Sequence, residues 1–152
     1  MILISHRGNI NGKSESWENE STYIDKAISE GYDVEIDVWY EDNMFFLGHD
    51  EPQYSVTINW LKERKHKLWV HCKNLDALNI FSNMRKSNSG WNFFWHQNDD
   101  FTLTNENFIW TFPGKKLNNT SIAVLPEICD YTEYELKECY GICSDLIENY
   151  KF

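Results

Sequence analysis

Four short clusters in the first half of the chain carry side chains that could do chemistry: His6-Arg7, Glu35-x-Asp37, His49-Asp50 and His71-x-Lys73. Glu35 and Asp37 belong to Val34-Glu35-Ile36-Asp37-Val38, where β-branched residues alternate with acids, and this pattern reads as a strand. Alternation sends both carboxylates to one face and the three apolar side chains to the other. Neighbouring carboxylates repel unless something positive lies between them. A divalent cation with oxygen ligands is the simplest such charge. Taken alone, the stretch reads equally as a half-exposed strand with its acids in water. The other clusters shift the balance. A hard cation neutralises phosphate oxygens, and an arginine and a lysine hold the remaining charge. One imidazole can take a proton from the nucleophile while another gives one to the leaving oxygen. The set suits metal-assisted cleavage of a phosphodiester.

These residues can meet only if several strand tips share one rim. Met1–Ser5 is an apolar strand ending in His6-Arg7-Gly8, and the pattern predicts a helix over Asn19–Glu30, capped by Asn19 or Ser21 and ended by Gly31. After the acidic strand, Asp42-Asn43 turns the chain into an extended Met44–Leu47, which leads to Gly48-His49-Asp50. Thr57–Arg64 reads as a short helix and Leu68–Lys73 as a strand with Trp69, His71 and Lys73 on one face. Asn74 caps a helix whose Ala77, Ile80, Phe81 and Met84 form an apolar stripe. Strands follow at Asn92–His96, Phe108–Phe112, Ser121–Leu125 and Ile142–Leu146, with a helix that starts in the Thr132/Glu135 capping box. The links 97–107 and 113–120 show no amphipathic pattern. Alternating strands and helices imply parallel βαβ units. The expected fold is therefore α/β, a shortened TIM-like (β/α) barrel lacking helices in its second half, formed by residues 1–152 as one domain. On such a barrel these polar residues would share the C-terminal rim. Glu127 and Asp145 also end strands and could reach it.

His6-Arg7-Gly8, Glu18-Asn19, Glu35-x-Asp37 and Gly48-His49-Asp50 resemble the signature of glycerophosphodiester phosphodiesterases, within the wider phosphatidylinositol-phospholipase-C-like barrels. Ala27-x-x-x-Gly31-x-Asp33 fits the same pattern, and the likeness covers residues 1–75. The resemblance implies that His6 and His49 are the catalytic acid/base pair, that Arg7 and Lys73 bind phosphate, and that Glu35 and Asp37 bind a metal, usually calcium or magnesium. Where the family commonly has Glu-x-Lys, this chain has His71-Cys72-Lys73, so His71 replaces a carboxylate ligand. Imidazole suits softer ions, so the exchange either shifts the metal preference toward manganese, zinc or iron or leaves a weakened site. The family's Pro before Glu-Asn is replaced by Trp17. Glu18-Asn19 itself reads as a helix start. The expected activity is hydrolysis of a glycerophosphodiester or related headgroup ester. The rival is a degenerate barrel that binds a phosphorylated ligand without turning it over.

Composition narrows the partners. At 152 residues and a formal net charge of −10, the chain is a poor general binder of nucleic acid. There is no apolar run of about 18 residues to span a membrane. Cys72, Cys129, Cys139 and Cys143 match no common zinc spacing and read as free thiols of a cytoplasmic protein. The expected partner is a small phosphodiester. A thinned barrel would also expose apolar surface that a second copy could cover.

Overall fold

The structure is a computed structural model that describes residues 1–87 and 90–152. The strands are β1 (Ile2–His6), β2 (Asp33–Glu41), β3 (Met44–Leu47), β4 (Tyr54–Val56), β5 (Leu68–Cys72), β6 (Asn92–Phe94), β7 (Phe101–Leu103), β8 (Ile109–Thr111), β9 (Ser121–Val124) and β10 (Gly141–Ser144). The helices are α1 (Ser21–Ser29), α2 (Ile58–Arg64), α3 (Leu75–Ser87) and α4 (Glu133–Glu138). Thr57 caps α2 through Trp60 N, Asn74 accepts from Ala77 N at the start of α3, and Thr132 and Glu135 close a reciprocal capping box on α4. The cap of α1 differs from the expectation. It is Glu20, whose carboxylate accepts from Thr22 N and Tyr23 N, while Asn19 is left-handed at φ 63°.

Parallel ladders join β8-β9-β10-β1-β2-β5-β6 in that order. β3 and β4 extend β2 as an antiparallel hairpin, and β7 lies antiparallel to β8. The expected (β/α) barrel is therefore corrected to an open, curled, mixed sheet. Among the described residues no ladder joins β6 to β7. The physical reason lies in the links. Residues 97–107 form the short antiparallel β7 in place of a β/α unit, and 113–120 form a loop. The exposed edge of β6 is satisfied without closure. Phe93 N donates to Asn105 Oδ1 at 2.6 Å, Asn105 N donates to Phe93 O at 3.0 Å, and Thr102 Oγ1 donates to Trp95 O at 2.8 Å.

The sheet buries both faces. Its convex side packs Val34, Ile36, Val38, Val70 and Cys72 against Ile24, Ala27, Ala77 and Phe81 of the helices. Its concave side is filled at one end by Ile4, Trp69, Phe94, Trp110, Ile122 and Cys143. Above that plug, the C-terminal strand ends open into a cavity. No helix among the described residues is long and apolar enough to cross a membrane.

Candidate active site

Register builds the site. His6 is paired with Glu35 across β1 and β2, and Asp37 with His71 across β2 and β5. Register partners in a parallel sheet point the same way, so all four side chains rise from the concave face. Glu35 and Asp37 are only 2% and 0% exposed. His71 Nδ1 lies 3.0 Å from Asp37 Oδ1 and 3.9 Å from Glu35 Oε1. One ligand atom from each of Glu35, Asp37 and His71 lies within 4.8 Å of the others, a group that could hold a metal ion. Two observations suit a cation there. Glu35 Oε2 is buried without a hydrogen-bond partner, a costly state for a carboxylate oxygen. His71 Nε2 faces the His96 carbonyl at 3.4 Å, which leaves Nδ1 turned toward the acids. The His71 ring is stacked on that of His96, with centroids 4.5 Å apart.

The cations and second imidazole also reach Asp37. Arg7 Nε is 2.9 Å from Asp37 Oδ2, Lys73 Nζ 3.4 Å from Oδ1, and His49 Nδ1 3.4 Å from Oδ2. Burial raises the Asp37 pKa, but the His49 and His71 imidazoles and the Arg7 guanidinium outweigh it and hold the carboxyl well below its usual range. Glu35 goes the other way, raised by burial and by the Asp37 charge. Burial pulls Arg7 down, and Asp37, Glu35 and Glu18 more than restore it, so the guanidinium stays charged. Burial and the neighbouring His71 push His96 down to about 4. His6, Arg7, Glu35, His49, His71 and Lys73 all border one cavity of about 560 Å³. The structure thus brings together every residue singled out for catalysis, phosphate or metal: those six border the cavity, and Asp37, fully buried, lies beneath them in contact with Arg7, His49, His71 and Lys73.

Four further residues support the site: Asp145, Asn9, Glu18 and Asn19. Asp145, at the end of β10, holds His6: the His6 Nδ1 to Asp145 Oδ1 distance is 2.7 Å. Burial lowers the His6 pKa, yet the bond to Asp145 and the Glu35 charge leave it raised. Asn9 Nδ2 donates to both Asp145 and Glu18, at 2.8 Å each. Glu18 in turn takes Arg7 Nη1 at 3.3 Å. Asn19 clamps Asp37 twice, donating from Nδ2 to Oδ2 and accepting from the Asp37 N–H, both at 2.9 Å. Glu18-Asn19 is thus part of the site's frame, and Glu20 starts the helix instead. The signal available was the pair itself: an acid and an amide next to a helix that another residue can cap. Glu127 stays behind the rim, accepting from Ser144 Oγ and Asp145 N.

Comparison with models of known families, with curated proteins and with solved structures finds no match to this chain.

Proposed function

We propose that the chain is a metal-dependent phosphodiesterase that cleaves a glycerophosphodiester or a related headgroup ester by acid–base catalysis between two histidines. The observation that carries this reading is the buried pair of carboxylates, Glu35 and Asp37, set between His6 on one side and His71 and His49 on the other. Glu35, Asp37 and His71 would hold the ion, which when bound supplies Lewis-acid polarisation of a phosphoryl oxygen. Arg7 and Lys73 border the same space and hold the remaining phosphate charge. Because Nδ1 of His6 is committed to Asp145, Nε2 is the atom left to handle a proton. It faces Glu35 at 3.9 Å. His49, whose side chain is 42% exposed, stands on the solvent side and serves as the partner. One ring accepts the proton of the attacking hydroxyl or water, and the other protonates the departing alkoxide. The likeness of His6-Arg7-Gly8, Glu35-x-Asp37 and Gly48-His49-Asp50 to glycerophosphodiester phosphodiesterases supports the same reading.

Phosphorus NMR of glycerophosphocholine incubated with the protein and magnesium, calcium, manganese or zinc in turn tests it. The expected result is conversion of the diester to a phosphomonoester, abolished by EDTA. A cyclic phosphate signal would identify intramolecular transfer in place of direct hydrolysis. Failure to turn over any glycerophosphodiester with any of these ions would falsify the enzyme reading. Retained binding would then make the chain a phosphate-binding module.

A further inference from the structure

The charged residues line only part of the cavity. Beside further polar lining from Gln97, Asp99 and Thr102, an apolar stretch comes from other strand ends: Trp110 of β8, Phe112 just after it, Val124 of β9, and Leu125 and Ile128 beyond it. Trp110 and Val124 are buried, whereas Phe112 is 49% and Ile128 70% exposed, so the apolar wall runs from the plug out to solvent. Leu125 is held in the left-handed region at φ 46°, a conformation unfavourable for a residue with a side chain. A glycine would relax that turn, yet here the position adds a leucine side chain to the cavity wall. The Leu125 turn is pinned by its N–H to Cys143 O at 2.7 Å and by Ile128 N–H to Leu125 O at 3.2 Å. A bare glycerol headgroup would leave this wall facing water.

We infer that the apolar stretch of the cavity is a subsite for one alkyl chain, so that the substrate is a single-chain amphiphilic phosphodiester. The inference rests on the phosphodiesterase reading for the position of the phosphate. The occupant follows from continuity: Trp110 stacks on Phe94, which stacks on His71, and the wall then passes to exposed Phe112 and Ile128, as a chain esterified to a phosphate at the charged group would. Two other apolar grooves lack this. One lies between the β3–β4 hairpin and α3, and one beside β7 around Phe101 and Leu103; neither is bordered by any residue of the charged group.

The test is binding of butyl-, hexyl- and octylphosphocholine, each below its micelle-forming concentration, measured by calorimetry on the intact protein with manganese present. A methylene fully removed from water changes affinity roughly fourfold, and a groove open on one side captures part of that. The expected result is a Kd that falls by at least about tenfold from four to eight carbons. Phe112→Ser and Ile128→Ser, both at exposed positions, should each flatten this dependence, with circular dichroism confirming the fold. A Kd independent of chain length overturns the subsite. So does binding to phosphatidylcholine vesicles without chain dependence for the monomers, which would make the rim a membrane contact. Self-association that covers Phe112 and Ile128 overturns it as well. Turnover of glycerophosphocholine decides the phosphodiesterase reading separately, because that diester has no chain.

Discussion

Asp37 is the residue on which the site's charges converge. Arg7, His49, His71 and Lys73 all approach its two oxygens, and Asn19 fixes its orientation from below. An isolated buried carboxylate would be prohibitively costly, so this acid stays ionised only because its neighbours are arranged around it. His6 has a smaller version of the same device in Asp145. The signs of their shifts define a pH window. His6 is raised in the folded state, so its contribution to stability is complete below its unfolded pKa and is lost as pH rises through the folded value. Burial raises Asp145, but its hydrogen bond to His6 leaves it lowered, so its contribution holds above its unfolded pKa and is lost in acid. The charged pair is therefore strongest between about pH 4 and pH 6.5. Replacing Asp145 by Asn should cost more stability near pH 5.5 than near pH 8.5, by about 1 kcal/mol, the margin between a charge-assisted and a neutral hydrogen bond. Urea unfolding of both proteins at the two pH values measures this. Equal penalties would mean that His6 and Asp145 never form an ion pair.

At the scale of elements, β2 does the positioning. Its first half lies between β1 and β5, and its second half leaves them to pair with β3. That departure is what brings His49 back over Asp37, through a turn at Gly48. A Cβ on Gly48, whose φ is +155°, would sit 2.0 Å from the Glu51 carbonyl oxygen. Gly48→Ala should therefore destabilise the protein by about 1–3 kcal/mol and lower the proposed turnover by displacing His49, while the proposed ion site on β2 and β5 keeps its affinity. Manganese titration and urea unfolding separate the two effects, and an unmoved unfolding midpoint would show that the turn relaxes freely. The strand tips that build the site were legible because period-two alternation and the punctuation of Gly8, Gly31 and Gly48 are local signals. The role of Asn19 was hidden because the same residue is a good helix cap, and only the return of β2 gives it Asp37 to hold. β4 and β7 are three residues long, with Phe101 and Leu103 exposed, so they leave no periodic trace. Closure of the sheet was not legible at all. It depends on whether two distant edges, β6 and β7, meet, and here side chains of Thr102 and Asn105 occupy the backbone groups a ladder would have used.

For the molecule as a whole, an open sheet must still support two buried acids in a chain whose formal net charge is −10. The surrounding field favours cations, and the adjacent buried carboxylates of Glu35 and Asp37 mark where one would relieve the most repulsion. An ion that binds the folded chain and not the unfolded one adds stability by mass action, about 2.7 kcal/mol at a hundredfold excess over its Kd. For a chain of this size that corresponds to a rise in Tm of roughly 5–10 °C. Manganese or zinc should produce the larger rise, because His71 supplies nitrogen where calcium and magnesium favour oxygen. The increment should vanish with EDTA and in Asp37→Asn, which keeps the shape of the side chain but removes its charge. Thermal unfolding with each ion checks this. A larger rise with calcium than with manganese would exclude His71 from the ligand set and leave the two carboxylates as the whole of the ion's protein shell.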